Sequence, residues 1–183
     1  MSRVFIVAVP DEVENEKLIS GAAVIFSGVG KINATIAACT AASKGYKEII
    51  NIGSCGSLYL PPGEIVKVGS VFQDIDCTPL CEYGETVFDN LGGQIILDDL
   101  ELTSCFTTDY FFDINQKEKY SSKYLEMLKK CTIFDMEAFA IAKVCKYYDI
   151  KFNAYKWVSD DGDSENWKEN CKIGFNKFKE KFK

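Results

Sequence analysis

Two short apolar runs, residues 22–26 and 47–52, bracket a turn, Ser27-Gly28-Val29-Gly30, and a helical stretch, residues 31–43, in which Ala34, Ala37, Ala38, Ala41 and Ala42 recur. Short apolar runs bounded by turn residues read as buried strands, and Gly45 after the alanine-rich stretch reads as a helix stop. The small side chains let that helix lie close against whatever it covers. A strand, glycine turn, helix and strand in this order commit the chain to an α/β architecture.

The remaining segments extend the alternation. Residues 4–9 read as a first strand, residues 12–19 as a short helical or looping segment, and residues 64–72, 94–97 and 102–107 as strands in a glycine-rich middle. A helix over residues 115–130, a strand at 132–134, a helix over 136–148, a strand at 152–158 and a terminal helix complete the pattern. Residues 175–183 read as an amphipathic helix end, with lysines where they complement the helix dipole. The expected fold is one α/β domain over residues 1–183, with helices on a central mixed sheet that bends or closes.

Charge and cysteine usage narrow the functional classes. A net charge of -6 without a polybasic segment disfavours nucleic acid, whose phosphates demand a basic surface. The first apolar run is too short to span a bilayer and is cut by Pro10 and the acidic pair Asp11-Glu12, so no membrane partner is expected. Eight cysteines scatter without a Cys-x-x-Cys spacing, and the chain has no histidine to help build a zinc site. Reduced, buried thiols in a cytoplasmic protein are the expectation, with no metal.

Without histidine, acid/base chemistry at neutral pH falls to carboxylates. In open α/β sheets, sites form where strands end at their carboxyl edges. Six polar or glycine-rich segments follow strands here: Asp11-Glu12, residues 27–31, residues 53–57, Thr107-Thr108-Asp109, residues 135–137 and residues 159–163. One shared edge would gather all six.

Each motif also has a structural reading. Ser27-Gly28-Val29-Gly30-Lys31 lacks the spacing of a P-loop, and Asn33 stands where the dinucleotide fingerprint needs glycine. It is either a tight turn or a turn that also brings backbone to a ligand. Cys55 lacks a histidine to activate it as a nucleophile. Glu137 could serve as a first-turn acid stabilising a helix, and Asp160 as the N-cap of the last helix.

Taken together, Ser27-Gly28-Val29-Gly30-Lys31, Asn51-Ile52-Gly53-Ser54-Cys55-Gly56, Gly63-Glu64-Ile65-Val66, Thr108-Asp109-Tyr110-Phe111, Asp135-Met136-Glu137-Ala138 and Ser159-Asp160-Asp161-Gly162-Asp163 resemble the nucleoside phosphorylase/hydrolase family. Within it the chain looks most like the 5'-methylthioadenosine/S-adenosylhomocysteine nucleosidases, from its first strand to its last helix. The resemblance implies a single domain around a mixed, partly barrel-like sheet, assembled as a homodimer or larger homo-oligomer. It also implies hydrolysis of the N-ribosidic bond of a purine nucleoside, with adenine as the expected base and no cofactor.

The resemblance assigns roles by position. Glu12 falls on the water-activating base, and Asp160 on the acid that binds the purine and assists protonation at N7. Glu137 falls on the ribose-binding acid, Met136 beside the sugar, and Ser54 on a hydroxyl near the water. Phe111 matches the aromatic packed against the base, and Phe112 the residue whose backbone reads the purine edge. Cleaving an N-ribosidic bond leaves positive charge on the sugar and negative charge on the base, so acids on both sides suit the chemistry.

Phosphorylases of the family grip phosphate with arginines, one of them just before the Gly-Ser of the central loop. Asn51 holds that place here, and the only arginine is Arg3. Hydrolysis is therefore expected over phosphorolysis, with a phosphorylase or a nucleoside-binding homologue without turnover as alternatives. The chain is also shorter than usual members between Glu12 and Ser27 and over residues 73–91. Lys156 stands where nucleosidases often carry arginine, and Val9-Pro10 replaces the usual Met-Glu.

Overall fold

The computed structural model describes residues 2–89, 92–163, 165 and 167–181. In chain order the elements are β1 (Arg3–Val7), a 3-10 turn (Pro10–Val13), β2 (Leu18–Ile19), β3 (Ala22–Phe26), α1 (Lys31–Ser43), β4 (Glu48–Gly56), β5 (Ile65–Lys67), β6 (Ser70–Gln73), β7 (Gln94–Ile96) and β8 (Ser104–Thr107). A second 3-10 segment (Ile114–Lys119) leads to α2 (Ser122–Lys130), β9 (Ile133–Asp135), α3 (Ala138–Tyr147), β10 (Lys151–Asp160) and α4 (Trp167–Lys181). The strands form one mixed ten-stranded sheet flanked by helices, the α/β class expected from the sequence.

Period-2 alternation places the core on both faces of that sheet. Val4 and Ile6 of β1 and Ile49 of β4 pack under α1 and α3, whose Ala34, Ala37, Ala38, Ala41 and Ile141 complete the layer. Phe5 and Val7 point the other way, joining Ile50, Ile52 and Trp157 beneath Phe175 and Phe178 of α4. Gly174 makes that contact possible: a Cβ there would stand 2.3 Å from Trp157 Cγ.

One branch in the sheet creates the site. β10 runs parallel beside β4 from Glu48 to Gly56. On the opposite edge, β1 pairs with Glu48 through Asn51, and β9 meets β4 antiparallel at Gly56. Among the described residues the edge of β4 between them has no ladder partner, and the gap opens where β1, β4, β8, β9 and β10 all reach their carboxyl ends.

Several boundaries differ from the sequence expectation. Residues 53–56 are the last residues of β4 and not a loop after it, because β10 continues to pair with them. The strand expected over residues 64–72 is two, with β5 pairing β10 and β6 pairing β7 and β8. Between them the chain crosses from one limb of the sheet to the other, Val68 N–H donating to Ala154 and Gly69 N–H to Thr103. The helix expected over residues 115–130 breaks at Tyr120, after which the Ser121 hydroxyl caps α2 by accepting from Tyr124 N–H at 3.2 Å. The expected final helix reaches Lys181, and Phe182 and Lys183 lie outside the described residues.

Candidate active site

A cavity at the branch is lined by Glu12, Val29, Ser54, Thr108, Glu137 and Asp160, one residue from each of the six segments singled out in the sequence. All seven residues expected in a binding site, Glu12, Ser54, Phe111, Phe112, Met136, Glu137 and Asp160, border this one space. They come together because each follows or ends a strand whose carboxyl end faces the gap.

Glu12 reaches the gap on the 3-10 turn after β1 and is buried. Its Oε1 accepts the Ser54 N–H at 2.8 Å and the Ser54 hydroxyl at 2.6 Å, and its Oε2 accepts Val9 N–H at 3.2 Å. The Ser54 amide is available because, among the described residues, the β4 edge has no strand partner there. Gly53 supplies the room, since a Cβ at that position would stand 2.9 Å from Glu12 Oε1.

Glu137 directly precedes α3. Its Oε1 accepts Gly30 N–H at 3.0 Å, and its Oε2 lies 4.0 Å from Lys156 Nζ. Burial pushes the Glu137 carboxyl up to about 7; the Lys156 ammonium opposes this, and the negative charges of Asp135 and Glu12 add to it. Glu137 is the N-cap residue of α3 but makes no side-chain cap hydrogen bond to that helix.

Asp135 and Lys156 were not singled out as site residues by sequence, and they underlie Glu137. Lys156 Nζ sits 2.8 Å from Asp135 Oδ2, with both side chains almost wholly buried. Asp135 also accepts from the Thr107 hydroxyl at 2.7 Å, the Cys105 thiol at 3.3 Å and Ala138 N–H at 2.8 Å. Burial disfavours its charge, yet Lys156 and these donors hold its carboxyl below the usual range. Burial likewise works against the Lys156 charge, and the Asp135 and Glu137 carboxylates outweigh it, holding the ammonium well above its usual range.

Asp160 ends β10. Its Oδ2 accepts the Ser159 hydroxyl at 2.7 Å and its Oδ1 accepts Gly162 N–H at 3.0 Å. Burial raises its proton affinity in spite of these donors. α4 starts at Trp167, so Asp160 is not the N-cap of that helix.

The aromatic wall is split by depth. Phe111 is 58% exposed at the mouth, whereas Phe112 is buried with its ring 5.3 Å from Tyr120 and 5.4 Å from Phe134. Met136 is half-buried beside Glu137. Trp167, also absent from the sequence expectation, lines the cavity and donates its indole N–H to Ser54 Oγ at 3.2 Å. A lone tryptophan on a polar stretch opening the last helix was the signal available.

The arginine question also resolves in space. Arg3 starts β1, at the far end of the strand from the cavity, and pairs with Glu48 at 3.5 Å. Lys31, at the glycine turn, is held by the Asp74 carbonyl at 2.7 Å and by Asp109 at 2.9 Å.

Residues 19–181 match the phosphorylase superfamily. Two 5'-methylthioadenosine/S-adenosylhomocysteine nucleosidases of Buchnera aphidicola, from the Baizongia pistaciae and Acyrthosiphon pisum (strain Tuc7) subspecies, are each 33% identical to the chain. The first alignment covers 75% of this chain and 61% of the relative, the second 81% and 72%. The chain thus spans less than two thirds of the first relative's length. A Helicobacter pylori MTAN mutant crystallised with 5'-methylthioadenosine in its active site superposes with a TM-score of 0.78 at 15% identity, covering 100% of this chain and 99% of that one. That likeness establishes a common fold. The chain belongs to the phosphorylase superfamily, and within it is similar to the 5'-methylthioadenosine/S-adenosylhomocysteine nucleosidases.

Proposed function

We propose that the protein hydrolyses the N-ribosidic bond of an adenine nucleoside bearing a 5'-thio substituent, such as 5'-methylthioadenosine or S-adenosylhomocysteine, and releases the free base. The observation that carries this reading is the convergence of Glu12, Glu137 and Asp160 on one cavity. Each acid is dressed differently, which gives each a separate task.

Glu12 accepts three donors and is suited to take a proton from water. Asp160, whose proton affinity is raised by burial, is suited to hold or pass a proton at purine N7 as the base departs. Glu137 lines the cavity with its Oε2 4.0 Å from Lys156 Nζ, and is suited to accept ribose hydroxyls and to favour the positive charge developing on the sugar. Phe111 and Met136 are suited to pack on base and sugar.

Water is favoured over phosphate as the nucleophile. Gly30 N–H, which an anion at the glycine turn would need, is spent on Glu137, and Lys31, Lys156 and Arg3 are each ion-paired. Eight free cysteines support a reducing, cytoplasmic setting. Exposed Ile32 and Ile36 on α1 and Tyr147 on α3 support assembly into a homodimer or larger homo-oligomer, which sedimentation would read directly.

The test is release of adenine from 5'-methylthioadenosine in phosphate-free buffer. Hydrolysis yields adenine and the free thioribose; a strict need for phosphate, with a sugar 1-phosphate as product, would assign phosphorolysis instead. Asp160→Asn is expected to slow release by roughly 10²–10⁴-fold. Binding of the nucleoside with no base released would leave a binding protein.

A further inference from the structure

We propose that Trp167 is a positioning residue for Glu12, acting through the Ser54 hydroxyl, so that Glu12 Oε2 becomes the oxygen that receives the proton of water. This rests on the hydrolytic reading above and adds a residue from the last helix to it.

The direction of the hydrogen bonds carries the inference. An indole N–H can only donate, so at 3.2 Å Ser54 Oγ must be the acceptor from Trp167. A serine hydroxyl has a single hydrogen, and with Trp167 donating into the oxygen, that hydrogen is directed at Glu12 Oε1, 2.6 Å away. The buried thiol of Cys171 also neighbours this hydroxyl; burial pushes it up to about 12, so it remains a neutral thiol and competes weakly with a carboxylate for the hydrogen.

Glu12 Oε1 therefore carries two donors, the hydroxyl and Ser54 N–H, while among the described residues Oε2 carries Val9 N–H alone, at 3.2 Å. The asymmetry makes Oε2 the oxygen with acceptor capacity left toward the cavity that Glu12 and Trp167 both line. Removing the indole N–H frees the serine hydroxyl to turn, and Glu12 Oε1 loses the steady direction of one of its two donors, leaving Ser54 N–H and Val9 N–H to hold the carboxylate. The effect falls on turnover more than on binding, because Trp167 acts on the base and not on the sugar or purine contacts.

The experiment is a double-mutant cycle with Trp167→Phe and Ser54→Ala, assayed by adenine release. Trp167→Phe is expected to lower kcat roughly 3- to 10-fold with KM altered less than about twofold, and to change kcat by less than about twofold in the Ser54→Ala background. Equal effects in both backgrounds, or an unchanged kcat in Trp167→Phe, would overturn the proposal. A second readout needs no turnover: the Trp167 indole proton resonance, assigned by its loss in Trp167→Phe, should move upfield in Ser54→Ala. A resonance that stays in place overturns the inference even in a protein that releases no base, whereas a shifted resonance without base release retains the contact and rejects only the hydrolytic reading.

Discussion

The backbone N–H of Gly30 donates to Glu137 Oε1 at 3.0 Å, tying the residue that opens α1 to the residue that opens α3. That hydrogen bond favours the charged form of the carboxylate, as does the Lys156 ammonium 4.0 Å from its other oxygen. Burial wins against them, which is why Glu137 titrates near 7 and not at its usual 4.5.

That displacement predicts a pH dependence of binding and of stability with opposite signs. On the proposed reading the ionised Glu137 is the stronger acceptor for ribose hydroxyls, so kcat/KM should rise with pH through an inflection near 7, and Glu137→Gln should lose that inflection. For stability, the folded state holds the proton more tightly than the unfolded one, so Glu137 stabilises the fold below 4.5 and this contribution fades as pH rises toward 7. The parent should lose on the order of 2–3 kcal/mol over that window relative to Glu137→Gln, read by urea unfolding at a series of pH values. A difference that grows in the opposite direction would show that Glu137 is held ionised.

The Asp135–Lys156 pair predicts strong coupling in folding. Lys156→Met leaves the Asp135 carboxyl buried without its cation, at a cost of about 3–5 kcal/mol. Asp135→Asn combined with Lys156→Met removes both charges, and should recover a large part of that loss. Chemical denaturation of the two variants and the parent measures it; a double variant as unstable as Lys156→Met alone would place the cost in packing and not in the orphaned charge. Because Lys156 also opposes the raised proton affinity of Glu137, the activity inflection should move to higher pH in Lys156→Met.

The bounds of α1 were legible because glycine marks both sides of an alanine-rich stretch, and the six site segments because each pairs a strand signal with polar or glycine residues. Gly53-Ser54-Cys55-Gly56 was misplaced as a loop for the same reason. Its glycines serve close approach within a strand, to Glu12 at Gly53, and local composition does not separate that from a turn. The break before α2 turns on whether Ser121 caps a new helix, a choice between side-chain and backbone hydrogen bonds. Asp135 and Lys156 escaped because their pairing depends on β9 and β10 meeting across the branch from opposite sides of α3, and Trp167 because it acts through a serine 113 residues away.

Gly53 offers a test that separates the site from the fold. An alanine Cβ would stand 2.9 Å from Glu12 Oε1, the mobile end of a side chain, so the carboxylate can move aside while the strand stays paired with β10. The positive φ of 157° adds backbone strain, for a total stability loss of about 1–2 kcal/mol. Turnover should suffer far more: displacing the oxygens of Glu12 by a fraction of an ångström breaks their match to Ser54 and to water, and roughly a 10- to 100-fold fall in kcat is expected. Adenine release and thermal unfolding measured on the same Gly53→Ala sample decide it. Near-parental turnover in a folded Gly53→Ala protein would mean that the carboxylate of Glu12 tolerates displacement, and that water is activated elsewhere in the cavity.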